Sequence, residues 1–246
     1  MQSGKYYQSA AYVSHSDTKE GLVNRLYHKV RSITLSGKRK LVSSETGLSK
    51  GAILDIGCGT GAFLSGMKNA GWVGHRPGAR RNRPEQSPRA LPAGATFIRR
   101  IVPIACCCYM MPLPCGMCWS MCTSWMNTLT GFNRCSKSVA VLFIAVPNLQ
   151  SYDAAHYKEC WAAYDVPRHL YHFSANGMEQ LLQRHGLKLK KIKPMWFDSF
   201  YVSMLSEQYR NGKGNILKAS FIGFLSNLKA MFNQRKCSSL IYIVTK

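Results

Sequence analysis

The sequence predicts an α/β fold: a doubly wound, mostly parallel sheet with helices on both faces, preceded by an N-terminal helical extension. Three observations predict it. Short apolar runs at 52–54 and 142–146 read as buried strands. Segments at 62–70 and 174–185 carry helix starts and stops. A glycine-rich turn joins the first of those strands directly to the first of those helices. With 246 residues, 46% of them hydrophobic, the chain is long enough to bury one substantial core, so a single domain spanning 1–246 is expected.

Taken in order, residues 1–48 form the helical extension. Leu22, Leu26, Val30 and Ile33 recur at helical spacing among Lys and Arg, as an amphipathic packing or lid element requires. Ala52-Ile53-Leu54 is the first strand, and a helix follows from Ala62 to Ala70, with Gly71 as its stop. Order returns at Leu142-Phe143-Ile144-Ala145-Val146, a strand closed by Pro147-Asn148. Ser174 is a suitable N-cap for a helix through His185, with Gly186 behind it. Leu187–Ile192 reads as a strand, Ile216–Phe232 as an amphipathic helix and Leu240–Val244 as a last strand.

Residues 73–141 break this regularity. They show no sustained period of 2 or 3.6, and they concentrate two anomalies. Nine Lys and Arg stand there against one acid, Glu85, so this stretch supplies eight of the twenty-two net positive charges. Seven of the ten cysteines (Cys106, Cys107, Cys108, Cys115, Cys118, Cys122, Cys135) lie there too. A disulfide framework is not expected, because the N-terminus lacks the order of a secretory signal and no run of about 18 apolar residues appears. The expectation is a cytoplasmic protein. The spacing Cys115-x-x-Cys118-x-x-x-Cys122 has the look of metal ligands, but thiolates without ordered elements to hold them do not make a site, and no metal is expected.

The turn after the first strand carries the chemistry. Asp55-Ile56-Gly57-Cys58-Gly59-Thr60-Gly61 places an acid at the strand end, then three glycines at alternate positions, then a helix. Glycines allow positive φ and leave no Cβ, so a ligand can lie against the backbone while the helix offers its free N–H groups. The spacing differs from the dinucleotide fingerprint, which has two residues between its last glycines and its acid farther on. Leu54 to Gly61 resembles the first motif of class I S-adenosylmethionine-dependent methyltransferases. Tyr164-Asp165-Val166-Pro167-Arg168-His169-Leu170-Tyr171-His172-Phe173-Ser174 is similar to a D-x-P-x-H-L-x-x-F-S segment of one methyltransferase group. The two matching blocks, residues 1–72 and 142–246, cover most of the chain.

The resemblance implies a Rossmann-like sheet, S-adenosyl-L-methionine as cofactor and methyl transfer as the reaction. It assigns Asp55, Gly57, Cys58, Gly59, Thr60 and Gly61 to the cofactor, with Cys58 as a small filler. The acceptor belongs at the carboxyl edge of the sheet, where Asn148, Tyr152, Trp161, Asp165, Arg168, His169 and His172 are the candidates. His169 is placed to act as general base, its ordinary pKa of roughly 6.5 suiting proton removal. The alternative is that Asp165, Arg168 and His169 form a structural turn ahead of the next helix.

The genetic code offers an account of 73–141. Reading each new triplet from the third base of one codon, Met110/Met111 becomes Asp, Met111/Pro112 Ala, Met117/Cys118 Val, Cys118/Trp119 Leu, Trp125/Met126 Asp and Met126/Asn127 Glu. The degenerate positions permit YDAITLWHVLEHVHELDEY from Tyr109 onward, which resembles the family's fourth strand and the V-L-E-H segment after it. Residues 135–140 permit LKVGG, similar to the turn before its fifth strand. The printed frame is therefore expected to be displaced across this segment, with acid codons appearing as Arg, Pro and Cys.

Two partner classes are in play. Ile216–Phe232 sets Leu217, Phe221, Phe224, Leu225, Leu228 and Phe232 on one side, near Lys213, Lys218, Lys229, Arg235 and Lys236. That arrangement fits peripheral membrane contact and a small-molecule or lipid-like acceptor, or else a core-facing helix. The net charge of +22 favours a nucleic-acid binder or RNA methyltransferase instead, yet no recognition helix or aromatic-interleaved basic motif accompanies it. Nucleic acid is not the expected partner.

Overall fold

The computed structural model describes residues 22–56, 61–75, 101–104, 141–166, 169 and 171–246. The chain runs α1 (Leu22–Thr46), β1 (Ala52–Asp55), α2 (Ala62–Asn69), β2 (Val73–His75), β3 (Ile101–Ile104) and β4 (Leu142–Pro147). It continues with α3 (Tyr152–Tyr157), two single 3-10 turns, α4 (Ala175–Arg184), β5 (Lys188–Pro194), α5 (Asp198–Asn211), α6 (Ile216–Phe232) and β6 (Ser239–Thr245). The architecture is α/β and Rossmann-like, and its strands form two three-stranded groups in the orders β2-β1-β3 and β4-β6-β5.

The first group is parallel. β1 pairs with β2 from Ala52↔Val73 to Leu54↔His75, and with β3 from Ala52↔Ile101 to Asp55↔Ile104. The β1-α2-β2 unit is the crossover that a parallel pair needs. β2 and β3 both fall in the stretch where the sequence shows no order. They are too short for a period to register, and their hydrogen bonding to β1 is a backbone property that the side-chain pattern does not report. Among the described residues β3 bonds to β1 alone, an edge position that tolerates Pro103.

The second group reverses direction. β6 lies between β4 and β5 and is antiparallel to both, in registers such as Ile144↔Tyr242 and Ile192↔Tyr242. The expected parallel character thus holds within the first group, and β4 and β5 share one direction. No local signal in Leu240–Val244 distinguishes an antiparallel strand from a parallel one. β5 is lysine-rich, and Glu45 of α1 holds Lys190 at 3.1 Å and Lys191 at 2.8 Å. Such a charged strand resists pairing with another chain.

Alternation along β4 and β6 explains why helices cover both faces. Leu142, Ile144, Val146, Leu240, Tyr242 and Val244 face α4 through Ala175, Met178 and Leu182. Phe143, Ala145, Ile241 and Ile243 face the other way, onto Val42 of α1, Phe63 and Met67 of α2, and Ile53 of β1. One core therefore joins the two strand groups. Each fully buried side chain of this kind contributes about 1.5–3 kcal/mol.

The apolar stripe of α1 differs from the one expected. Ile33 is exposed, and the packed side runs through Leu35, Lys38 and Val42 instead. A lysine on that face reads as solvated in a sequence, which displaces the inferred stripe. The side chains of Leu22 and Leu26 lie outside the described residues. The helices α2, α4 and α6 match their expected spans closely. α4 has Ser174 as N-cap, its hydroxyl accepting from Gly177 N, and Gly186 at φ 66° behind it.

Candidate functional site

The site is built around the end of β1. Asp55 is the last residue of that strand, buried at 1% exposure, and its Oδ1 has no hydrogen-bond partner among the described residues. Burial pushes its carboxyl up to about 7, with the positive charge of Lys38 pulling the other way. After the turn, Gly61 occupies the N-cap position of α2 at φ 76°, a left-handed conformation that favours glycine. A Cβ added there would meet open space, so it is backbone conformation and not crowding that calls for glycine. Gly57, Cys58, Gly59 and Thr60, the centre of the motif, lie outside the described residues.

Lys38 reaches this place from α1, where it is itself buried at 6% exposure. It acts electrostatically on a second buried acid, Asp198, the first residue of α5. Burial raises the Asp198 carboxyl to about 7, with a hydrogen bond from Ser239 and then the charge of Lys38 opposing, and Asp198 Oδ2 lacks a partner among the described residues. The arrangement is two buried carboxyls, each with one unmatched oxygen, under the influence of one ammonium. Beside α2 an open groove of about 290 Å³ is lined by Arg31, Leu35 and Arg39 of α1 and by Phe63 and Gly66 of α2.

Beyond β4 the acceptor-side candidates divide by what their polar atoms touch. Asn148 is fully buried; its Nδ2 donates to the carbonyls of Arg235 (2.7 Å) and Cys237 (2.9 Å), and its Oδ1 accepts from Gln150 N. Trp161 Nε1 donates to Asp153 Oδ2 at 2.9 Å. The same carboxylate accepts from the hydroxyls of Ser226 and Ser238, each at 2.7 Å. Tyr152 is half-buried, and Lys229 Nζ stands 4.1 Å over its ring.

His169 is buried at 3% exposure. Its Nδ1 is 2.9 Å from the carbonyl of Ala163, which makes that nitrogen the donor, and its Nε2 is 3.9 Å from Asp165 Oδ2. His172 Nε2 similarly meets the carbonyl of Tyr164 at 2.9 Å. Asp165 takes φ 42°, a left-handed value for a residue with a Cβ. Arg168 lies outside the described residues.

Sequence reasoning missed Lys38, Asp153 and Asp198. Asp198 had a positional signal, since it follows Trp196-Phe197 just beyond the strand expected at 187–192. Lys38 and Asp153 had none, because an isolated charged residue in a helix looks like surface. No group of three or more His, Cys, Asp or Glu among the described residues is placed to hold a metal. The cluster Cys115, Cys118 and Cys122 lies outside them.

No protein-family model matches the chain, and no curated protein does. Among solved structures it is similar to mycolic acid cyclopropane synthase CmaA1 complexed with SAH and CTAB, at 13% identity and a TM-score of 0.45, over 85% of this chain and 83% of that one. It is similar to a SAM-dependent methyltransferase from Archaeoglobus fulgidus at 15% identity and a TM-score of 0.44, over 92% and 98% of the two chains. A possible histamine N-methyltransferase from Thermotoga maritima gives 13% and 0.44, over 84% and 87%.

Proposed function

We propose that the chain is a class I S-adenosylmethionine-dependent methyltransferase acting on a small-molecule or lipid-like acceptor. One observation carries the reading. A buried acid with an unmatched oxygen ends the central strand of a parallel group, and the Asp-x-Gly-x-Gly-x-Gly segment leads from it, through the left-handed Gly61, into a helix N-terminus. These residues fit the cofactor: the free Asp55 oxygen suits a cationic group, and the open space at Gly61 leaves room beside the backbone.

S-adenosyl-L-methionine brings an activated methyl on a sulfonium, so the protein has mainly to position the acceptor and exclude water. Asp55 and the 57–61 turn hold the cofactor in this scheme. Tyr152, Asp165 and His172, each partly exposed, form the acceptor wall. His169 is given a structural role in that wall: its Nδ1–H donates to the Ala163 carbonyl, which leaves Nε2 as the basic nitrogen, but the ring is buried at 3% exposure, away from an acceptor in solvent.

The reading includes a displaced frame over 73–141, so that the acid of the second strand and the fourth-strand region of the family are encoded but not expressed as printed. Titration calorimetry of the chain with S-adenosylmethionine and S-adenosylhomocysteine is the test. Heat that saturates with either, and is lost in Asp55→Ala, supports the assignment. No heat from a frame-restored chain ends it.

A further inference from the structure

We propose that the outward face of α6 seats this protein on an anionic lipid surface. The helix has two apolar sides. At about 100° per residue, Ala219, Ile222, Gly223, Ser226 and Ala230 fall on one side, and all are buried. Leu217, Phe221, Phe224, Leu228, Met231 and Phe232 fall within an arc of roughly 100° centred opposite to it. All six are exposed, Leu217 at 85% and Phe232 at 88%.

The buried side is fixed in place. Gly223 packs so closely on α5 that an added Cβ would stand 2.9 Å from Phe200 Cα, and Ser226 is tied to Asp153. The open side therefore cannot rotate inward to hide its aromatics, and an apolar surface of this kind calls for an outside occupant.

Charge selects the occupant. From residue 208 to 246 the chain carries seven Lys and Arg and no Asp or Glu; two of the seven, Lys218 and Arg235, pair with Glu207 and Glu179 from outside that stretch, and the other five do not share those acids. Lys218, ion-paired at 3.0 Å with the buried Glu207, and Lys229, whose Nζ stands over the Tyr152 ring, lie along one flank of the exposed arc. On the other, Asn227 bonds the carbonyl of Trp196, a half-exposed indole suited to a membrane interface. Lys213 and Lys236 extend the positive rim beyond the two helix ends. A broad apolar stripe inside a cationic rim matches acyl chains beneath anionic headgroups. No helix among the described residues is long and apolar enough to cross a membrane, so α6 lies along the surface.

The proposal stands on α6 alone and does not depend on nucleoside binding. Its test is co-sedimentation of the full chain with vesicles of phosphatidylcholine alone and of phosphatidylcholine mixed with phosphatidylglycerol. The protein is expected to pellet with the mixed vesicles and much less with the neutral ones. F221S/F224S/F232S should lower that partition by roughly tenfold with an unchanged circular dichroism spectrum, since none of the three side chains is packed. K213E/K236E should weaken binding to the mixed vesicles alone. A chain that stays in the supernatant, equal binding to both compositions, or a serine variant that binds as well as the parent overturns it. So does a concentration-dependent dimer on gel filtration that the serine variant dissolves while vesicles are ignored, which would make a second copy the occupant.

Discussion

Asp55 and Asp198 share an ammonium, and the sign of their effect on stability follows from burial. Both carboxyls are raised from 3.8 to about 7 in the folded chain, so the folded state binds protons more tightly than the unfolded one. Folding takes up protons between those values, stability falls as the pH climbs through that window, and the full penalty is present above about 7. The thermal midpoint is expected to be lower at about pH 8 than at about pH 6, and Asp198→Asn should roughly halve the difference, Asp55 supplying the remainder. An unaltered slope in that variant would exclude Asp198 as its source. Binding of a cationic nucleoside beside Asp55 should respond in the opposite sense, tightening as the pH rises through about 7, because the ligand favours the charged carboxylate. Calorimetry across that range reads the effect, and Asp55→Asn should abolish it. At Asp153 the question is satisfaction of donors. Asp153→Ala strands an indole N–H and two hydroxyls in the interior, a loss of about 3 kcal/mol or more, measurable by urea unfolding. Asp55 was legible in the sequence because glycines flag its place, whereas Asp153 and Lys38 acquire meaning only from partners distant in the chain.

Among the elements, α6 carries the sharpest steric prediction. Gly223→Ala would press a methyl to 2.8 Å from Phe200 Cδ1 and 2.9 Å from its Cα. The ring can turn away but the backbone cannot, so the variant should lose about 1–3 kcal/mol. A melting temperature equal to the parent's would mean that α5 and α6 separate easily. Elements with punctuation were readable in advance: Ser174 and Gly186 bracket α4, and Gly71, at φ 84°, closes α2. α5 was not, because Asp198–Asn211 puts Asp, Ser and Glu on its buried side, with Asp198, Ser199, Ser203, Ser206 and Glu207 all inside. A helix that buries hydroxyls leaves no apolar stripe to find. α3 is a turn and a half, too short for a period to appear.

At the level of the molecule, most of the described residues after 141 lie in regular elements, and among the described residues the half before it rests on α1, β1, α2 and two strands of three and four residues. Restoring the frame over 73–141 should add a longer strand beside β1 and return acids to the region. The expected outcome is a higher and sharper thermal transition together with tighter nucleoside binding. A frame-restored chain no more stable than the printed one would count against displacement. The overall class was legible because strands and helices alternate on both sides of 73–141. The order of strands was not, since pairing partners such as Phe143 and Ile243 stand a hundred residues apart.

β6 inserts between two strands made long before it. Until that segment has been made, β4 and β5 each present to solvent the amide and carbonyl groups that β6 will pair. Closure of the sheet is therefore a late, non-local event, slow by its topology, and the nascent chain spends that interval with two sticky edges open. Yield in cells should then depend on holdase capacity and on growth temperature more than the finished fold's stability would indicate.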